Sequence, residues 1–190
     1  MGSAGFFKRL FGRNKTPHQT VTVSSINITG SGLFIDGVPV DMPTHISALE
    51  KLLGKPRAEK YKTAEETMEF LEQTHGKGMI VNRVNYVWDD LGIYCYTNNG
   101  TVLSAFGIRL SKQGDEYKHY PHSTFKGTVT IDGKPWFGVM NSAEDKEVFR
   151  RLELDCYSII GEYTDPFDEP ENRTEKSYSN IEVNLKKFGA

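Results

Sequence analysis

The residues whose types could do chemistry are few and scattered. His119 and His122 bracket Tyr120 and Pro121, with Asp115 and Glu116 just upstream. Zinc needs three or four such ligands on a rigid scaffold, and these lie in the polar stretch Ser111–Ser123, so surface histidines are the competing reading. Asp89 and Asp90 could form a carboxylate pair for acid–base work. Neighbours on a strand face opposite ways, however, and one of the two capping the Trp88–Leu91 bend is the ordinary alternative. Cys95 and Cys156 have neither a metal-ligand spacing nor a histidine beside them in sequence. Gly30-Ser31-Gly32 lacks the third glycine and the following helix of a dinucleotide site. A phosphate-cradling loop, a nucleophile elbow and a zinc-protease motif are all missing. The sequence therefore predicts no catalytic residue, no cofactor and no metal. An enzyme remains the third reading, with a site that assembles only in space.

Two stretches point to binding instead. Gly161–Glu175, GEYTDPFDEPENRTE, sets Tyr163 and Phe167 among carboxylates and prolines. It is too rich in proline for a central strand and too long for a minimal connection. An exposed aromatic with a charged rim makes a protein-docking anchor. The partner-binding candidates are Tyr163, Asp165, Phe167, Asp168 and Glu169, with Asp89 and Asp90 as second choices. A solvated acidic loop with no partner is the alternative. At the other end, Phe6, Phe7, Leu10 and Phe11 fall on one side of a short helical pattern, with Lys8, Arg9 and Arg13 on the other. Such a segment could lie on anionic lipid, or could be an arm packed on its own domain or disordered. Phe6 stands where N-myristoylation expects Ser or Thr, so Gly2 is not a lipid anchor.

Composition bounds the rest. The chain has 190 residues with a net charge of −2, which gives no global case for nucleic acid. A 12% aromatic content is enough to build a core from large side chains, which excludes wholesale disorder. No apolar run approaches the roughly 20 residues that span a bilayer, and Lys8-Arg9 interrupts any secretory signal. Cys95 and Cys156 each sit in an apolar strand-like run, which predicts free, buried thiols, with a disulfide as the alternative. The address expected is cytoplasmic, with the inner membrane surface as the variant if Phe6–Arg13 contacts lipid.

The elements that must position these residues read as an α+β domain. Asn85–Leu110 reads as two aromatic, β-branched strands turning at Asn98-Asn99-Gly100. Val21–Ile28 alternates as a strand, and Gly32–Val40 reads as a hairpin about Asp36-Gly37. Thr44 is placed to cap a helix carrying Ile46, Leu49, Leu52 and Leu53, stopped by Gly54 and Pro56. Thr63 and Glu66 suggest a second capped helix. Gly127–Trp136 then repeats the first hairpin, with Ile131-Asp132-Gly133 and Pro135 matching Ile35-Asp36-Gly37 and Pro39. Ser142 is expected to cap a helix with Val148, Phe149 and Leu152, and Leu152–Ser158 and Tyr178–Leu185 to echo the earlier strands. The reading is an internally duplicated unit of β-hairpin, helix and antiparallel strands, with helices on one face of the sheet. Its parts are an arm over residues 1–19 and halves over 20–123 and 124–190; convergent hairpin chemistry is the alternative to duplication.

Ile35–Val40 (IDGVPV), Leu52–Pro56 (LLGKP), Tyr86–Tyr96 (YVWDDLGIYCY), and Pro121, Phe125 and Gly127 together resemble a family of bacterial domains. That family is similar to small proteins that accompany toxins and secretion systems, type VI among them, including immunity proteins. The resemblance covers most of Ile26–Trp136 and rests on turns, a helix stop and a strand, so it carries no catalytic residue over. It implies a non-enzymatic bacterial protein that binds and neutralises a cognate protein toxin, as one side of a toxin–antitoxin arrangement. A peripheral membrane accessory protein docked by Phe6–Phe11 is the alternative.

Overall fold

A computed structural model describes residues 21–40, 44–60, 84–97, 100–112, 120–146, 148–165, 167 and 170–186. The expected membrane-contact segment Phe6–Phe11 and the helix expected from Thr63 lie outside them. The first sheet is built around β1 (Ser25–Ile28), which buries Ile26 and Ile28 completely. On one side β1 pairs antiparallel with β2 (Leu33–Ile35), which turns into β3 (Val38–Val40). On the other it pairs parallel with β8 (Thr128–Ile131), which turns into β9 (Lys134–Pro135). Both turns are Asp-Gly with both residues at positive φ, 49° and 77° in the first and 49° and 73° in the second. That is the backbone a two-residue hairpin on right-twisted strands demands. The two aspartates then secure opposite ends of β1. Asp36 Oδ1 accepts from the backbone of Ser24 and Ser25 at 2.9 and 2.7 Å, and Asp132 Oδ1 from the backbone of Gly30 at 3.2 Å.

The second sheet has eight antiparallel strands in the order β10-β11-β12-β13-β7-β6-β5-β4. They are β4 (Arg57–Lys60), β5 (Val84–Trp88), β6 (Ile93–Thr97), β7 (Leu103–Arg109), β10 (Glu144–Asp145), β11 (Phe149–Glu153), β12 (Tyr157–Tyr163) and β13 (Tyr178–Leu185). Helix α1 (Ile46–Leu53) follows the first hairpin and α2 (Trp136–Asn141) the second. One buried cluster joins both sheets and both helices: Ile28, Leu33 and Ile131 meet Leu49, Met140, Phe106, Ile159 and Ile181. The molecule is thus mostly sheet, with few helices among the described residues. In chain order a hairpin, a helix and four strands occur twice, and the two runs of four meet where β7 pairs with β13, Gly107 opposite Glu182.

Several expectations need correcting. Asn85–Leu110 is three strands, because Asp89–Gly92 forms a tight turn with Leu91 N–H donating to Trp88 C=O at 3.1 Å. Gly92 has φ +70°, and a Cβ there would lie 2.1 Å from the backbone nitrogen of Phe125. The helix expected from Ser142 is absent. Ser142 instead follows the end of α2, and Phe149–Glu153 is a strand. Leu152–Ser158 spans a turn, with Leu154 N–H donating to Tyr157 C=O at 2.8 Å and Cys156 inside it. His45, not Thr44, occupies the cap of α1; Thr44 is buried and its carbonyl accepts from Leu103 N–H at 2.8 Å.

Candidate functional site

The acidic loop leaves the sheet from the end of β12 and returns at the start of β13. Its two ends are tied where Thr164 N–H donates to Ser177 C=O at 2.8 Å. Next to that tie is a foot built from buried Tyr163, Arg150 and Arg173 and the partly exposed carboxylate of Asp145. The register pairs Asp145 of β10 with Arg150 of β11, and Arg150 in turn with Gly161 of β12. Tyr163 donates its hydroxyl to Asp145 Oδ1 at 2.5 Å and accepts from Arg150 Nε at 2.9 Å. Arg173, from the loop itself, donates through Nη1 to both oxygens of Asp145 at 2.9 and 3.0 Å. Its guanidinium carbon sits 3.7 Å from the centre of the Tyr163 ring, a stacking that strengthens when water is excluded. Tyr178 completes the box, with ring centroids 5.2 Å from both Tyr163 and Trp136. Gly161 makes this possible, since a Cβ there would lie 2.8 Å from the Tyr178 ring. Burial, and then donation to the Asp145 carboxylate, push the Tyr163 phenol above its ordinary value.

Above the foot the loop is exposed. Phe167 presents 92% of its surface to solvent, and its N–H donates to Asp165 Oδ1 at 2.9 Å, which holds the turn that displays it. Asp165, Glu171 and Glu175 of the same loop are exposed as well. Of the residues expected to bind a partner, Phe167 and Asp165 are presented together and Asp168 and Glu169 lie outside the described residues. Tyr163 differs from expectation. It is only 7% exposed and its hydroxyl is committed inside, so it is a support for the loop and not an anchor on it. The residues that sequence reasoning missed are Asp145, Arg150 and Arg173. No local pattern marks them, because a charged residue on a strand or loop reads as solvent-facing until its partners from other elements are known.

Asp89 and Asp90 occupy a different corner, the β5–β6 turn. Arg57 of β4 grips Asp89 with Nε to Oδ2 at 2.8 Å and Nη2 to Oδ1 at 2.9 Å, a bidentate pair. His122 adds its backbone N–H at 3.2 Å and Nδ1 at 3.3 Å. Arg57 holds the Asp89 carboxyl below its ordinary value, over the opposing effect of partial burial. Asp90 is exposed beside it. The pair borders a surface cavity of about 600 Å³ whose wall includes Leu53, Pro56, Trp88 and Leu91. Trp88 Nε1 donates to Gly54 C=O at 2.7 Å, so the indole serves as wall. Arg57 and His122 thus both engage the Asp89 carboxylate at the rim of this cavity.

The remaining candidates fall apart in space. Cys95 is fully buried and burial pushes its thiol far up, which makes it a poor nucleophile. Cys156 is half-buried, and both cysteines are free. His119 lies outside the described residues, and among those described no group of three or more metal-ligating side chains converges. No helix among them is long and apolar enough to cross a membrane.

Residues 25–146 match the model of a family described as a domain of unknown function, DUF7738. The matched stretch begins with β1 and closes just after β10, so it holds the whole first sheet and Asp145 but not Arg150, Tyr163 or Arg173. No curated protein and no solved structure matches the chain. With more than half of its length matched, the chain belongs to the DUF7738 family.

Proposed function

We propose that this protein is a non-enzymatic binding protein that docks a basic-surfaced protein partner through the loop carrying Phe167, in the manner of an immunity protein occluding a cognate toxin. The observation that carries the reading is the 92% exposure of Phe167 on a loop whose base is held by the buried side chains of Tyr163, Arg150 and Arg173. A phenylalanine moved from water into a partner's pocket contributes roughly 1.5–3 kcal/mol. A loop already fixed at its base loses little further freedom on docking. The exposed carboxylates of Asp165, Glu171 and Glu175 on the same loop would steer and orient a basic partner. Asp168 and Glu169 join them on sequence alone. Within this reading the two runs of hairpin, helix and four strands are copies of one duplicated unit, and the loop is an insertion in the second copy. The recurrence of the Asp-Gly turn and the near-symmetric meeting of β7 with β13 support that descent.

The test is affinity capture from native host lysate at mild salt with three baits: the unaltered chain, Phe167→Ala, and the combined Asp165→Asn, Asp168→Asn, Glu169→Gln and Glu171→Gln variant. One near-stoichiometric protein retained by the first bait and lost from both others is the expected result. Equal retention by all three would remove the loop from the site. Capture of nothing by any of them would overturn the reading.

A further inference from the structure

The face of the larger sheet that carries Tyr94 collects two carboxylates for which no cation is provided. Among the described residues Asp89, Asp145, Glu144 and Glu153 each form an ion pair with a basic side chain, whereas Glu162 and Glu182 form none. Glu182 of β13 stands opposite Ile160 of β12, and Glu162 opposite Asn180, so the two glutamates are diagonal neighbours on one face. Asn180 Nδ2 donates to Glu162 Oε2. Tyr96 Oη lies 3.0 Å from both Glu182 Oε1 and Asn184 Oδ1, and its single proton can serve only one of them.

A second, independent feature points to a missing ligand. Tyr94 is 4% exposed, and its phenol oxygen has no hydrogen-bond partner among the described residues. Its side chain is directed into the cluster. Tyr94, Gly107 and Glu182 form one row across β6, β7 and β13. The Tyr94 ring crosses that row so closely that a Cβ on Gly107 would lie 2.0 Å from its Cζ. The phenol therefore passes over β7 toward Glu182. Burial, followed by the charge of Glu182, raises both the Tyr94 phenol and the Glu162 carboxyl. Asn184 Nδ2 is also buried without a partner. Turning that amide over lets it donate to Tyr96 but leaves its oxygen unmet.

We propose that Glu162, Glu182, Tyr94 and Tyr96 form a binding site for an organic cation headed by a guanidinium or primary ammonium group. Such a group supplies several N–H donors and a positive charge together, which is what two carboxylates without a cation and the Tyr94 phenol oxygen lack. A metal ion is a poorer match, since no third acidic, histidine or cysteine ligand converges among the described residues. The site lies on strands β6, β12 and β13, and its test does not depend on the reading of Phe167.

The experiment uses the full chain with its tyrosines labelled with carbon-13, titrated with n-butylguanidinium and n-butylammonium and, as the uncharged control, n-butylurea. Saturable shifts of the Tyr94 and Tyr96 ring signals with at least one cation and none with the urea are expected. Glu182→Gln and Tyr94→Phe should each weaken the binding about tenfold or more, with unchanged far-ultraviolet circular dichroism. Tyr94→Phe deletes one hydroxyl only, so it carries the test if Glu182→Gln does not fold. N-acetyl-arginine methylamide forms a further arm. Tighter binding than n-butylguanidinium identifies a protein side chain as the source, and weaker binding a free small cation. Shifts that do not saturate, that the urea reproduces, or that both variants leave intact would overturn the site and leave an ordered water as the partner of Tyr94.

Discussion

Arg173 meets Asp145 through one nitrogen placed 2.9 and 3.0 Å from the two carboxylate oxygens, although 28 residues separate them in the chain. The contact joins the returning end of the acidic loop to a two-residue strand at the edge of the larger sheet. It converts a segment that composition marks as mobile surface into one with a fixed base.

Arg173→Ala should therefore cost about 2 kcal/mol of stability in urea denaturation, because it leaves a partly buried carboxylate short of one partner and uncovers the Tyr163 ring. Phe167→Ala should change stability by less than about 0.5 kcal/mol, since a side chain 92% exposed buries little surface to lose. Equal costs for the two would mean that the foot does not hold the loop.

The Asp89–Gly92 turn gives a sharper contrast. Gly92→Ala places a methyl group within 2.1 Å of backbone at φ +70° and should cost more than about 3 kcal/mol. Gly138→Ala, inside α2 with open space around it, should raise stability by about 0.5 kcal/mol. Melting temperatures of the two variants check the pair.

Glu162 and Asp89 set opposite pH slopes. The folded-state carboxyl of Glu162 is raised, first by burial and then by Glu182. Below the ordinary glutamate value of about 4.3 both states keep the proton and its contribution is whole. As pH rises the unfolded chain ionises first, and stability falls until the folded carboxyl ionises too. Glu162→Gln should match the unaltered chain near pH 4 and exceed it increasingly toward pH 7 in urea melts. Asp89 is lowered by Arg57, so its contribution is present above about 3.9 and is lost as pH falls through its folded value. Arg57→Met should flatten that acid limb.

Thiol labelling should order the cysteines. Cys156, half-buried in the β11–β12 turn, should react with a maleimide under native conditions. Cys95, fully buried and raised by burial, should react only at the rate of unfolding. Modification of Cys95 at native rates would contradict its place in the core.

Local chemistry in the sequence foretold local structure. Asp36-Gly37 and Asp132-Gly133 announced both hairpins because φ above zero at two successive residues restricts the choice of side chain. Leu49 and Leu53 announced α1 by their spacing. The strand Phe149–Glu153 was hidden because the residue it turns inward is Arg150, leaving Phe149 and Leu152 at a spacing that suits a helix. Asp89–Gly92 was hidden because its apolar and polar residues continue the alternation of the flanking strands. The loop's composition was visible, but the role of Tyr163 was not. Its partners lie 13 and 18 residues upstream on other strands, and only the folded sheet brings them to its hydroxyl.

The most direct test of the loop as a docking element is photocrosslinking in native host cells, with p-benzoylphenylalanine in place of Phe167 and, as a control, in place of Val38, which is 43% exposed. The account predicts one discrete adduct with a basic protein from position 167 and none from position 38. No adduct from position 167, or the same adducts from both positions, would contradict it.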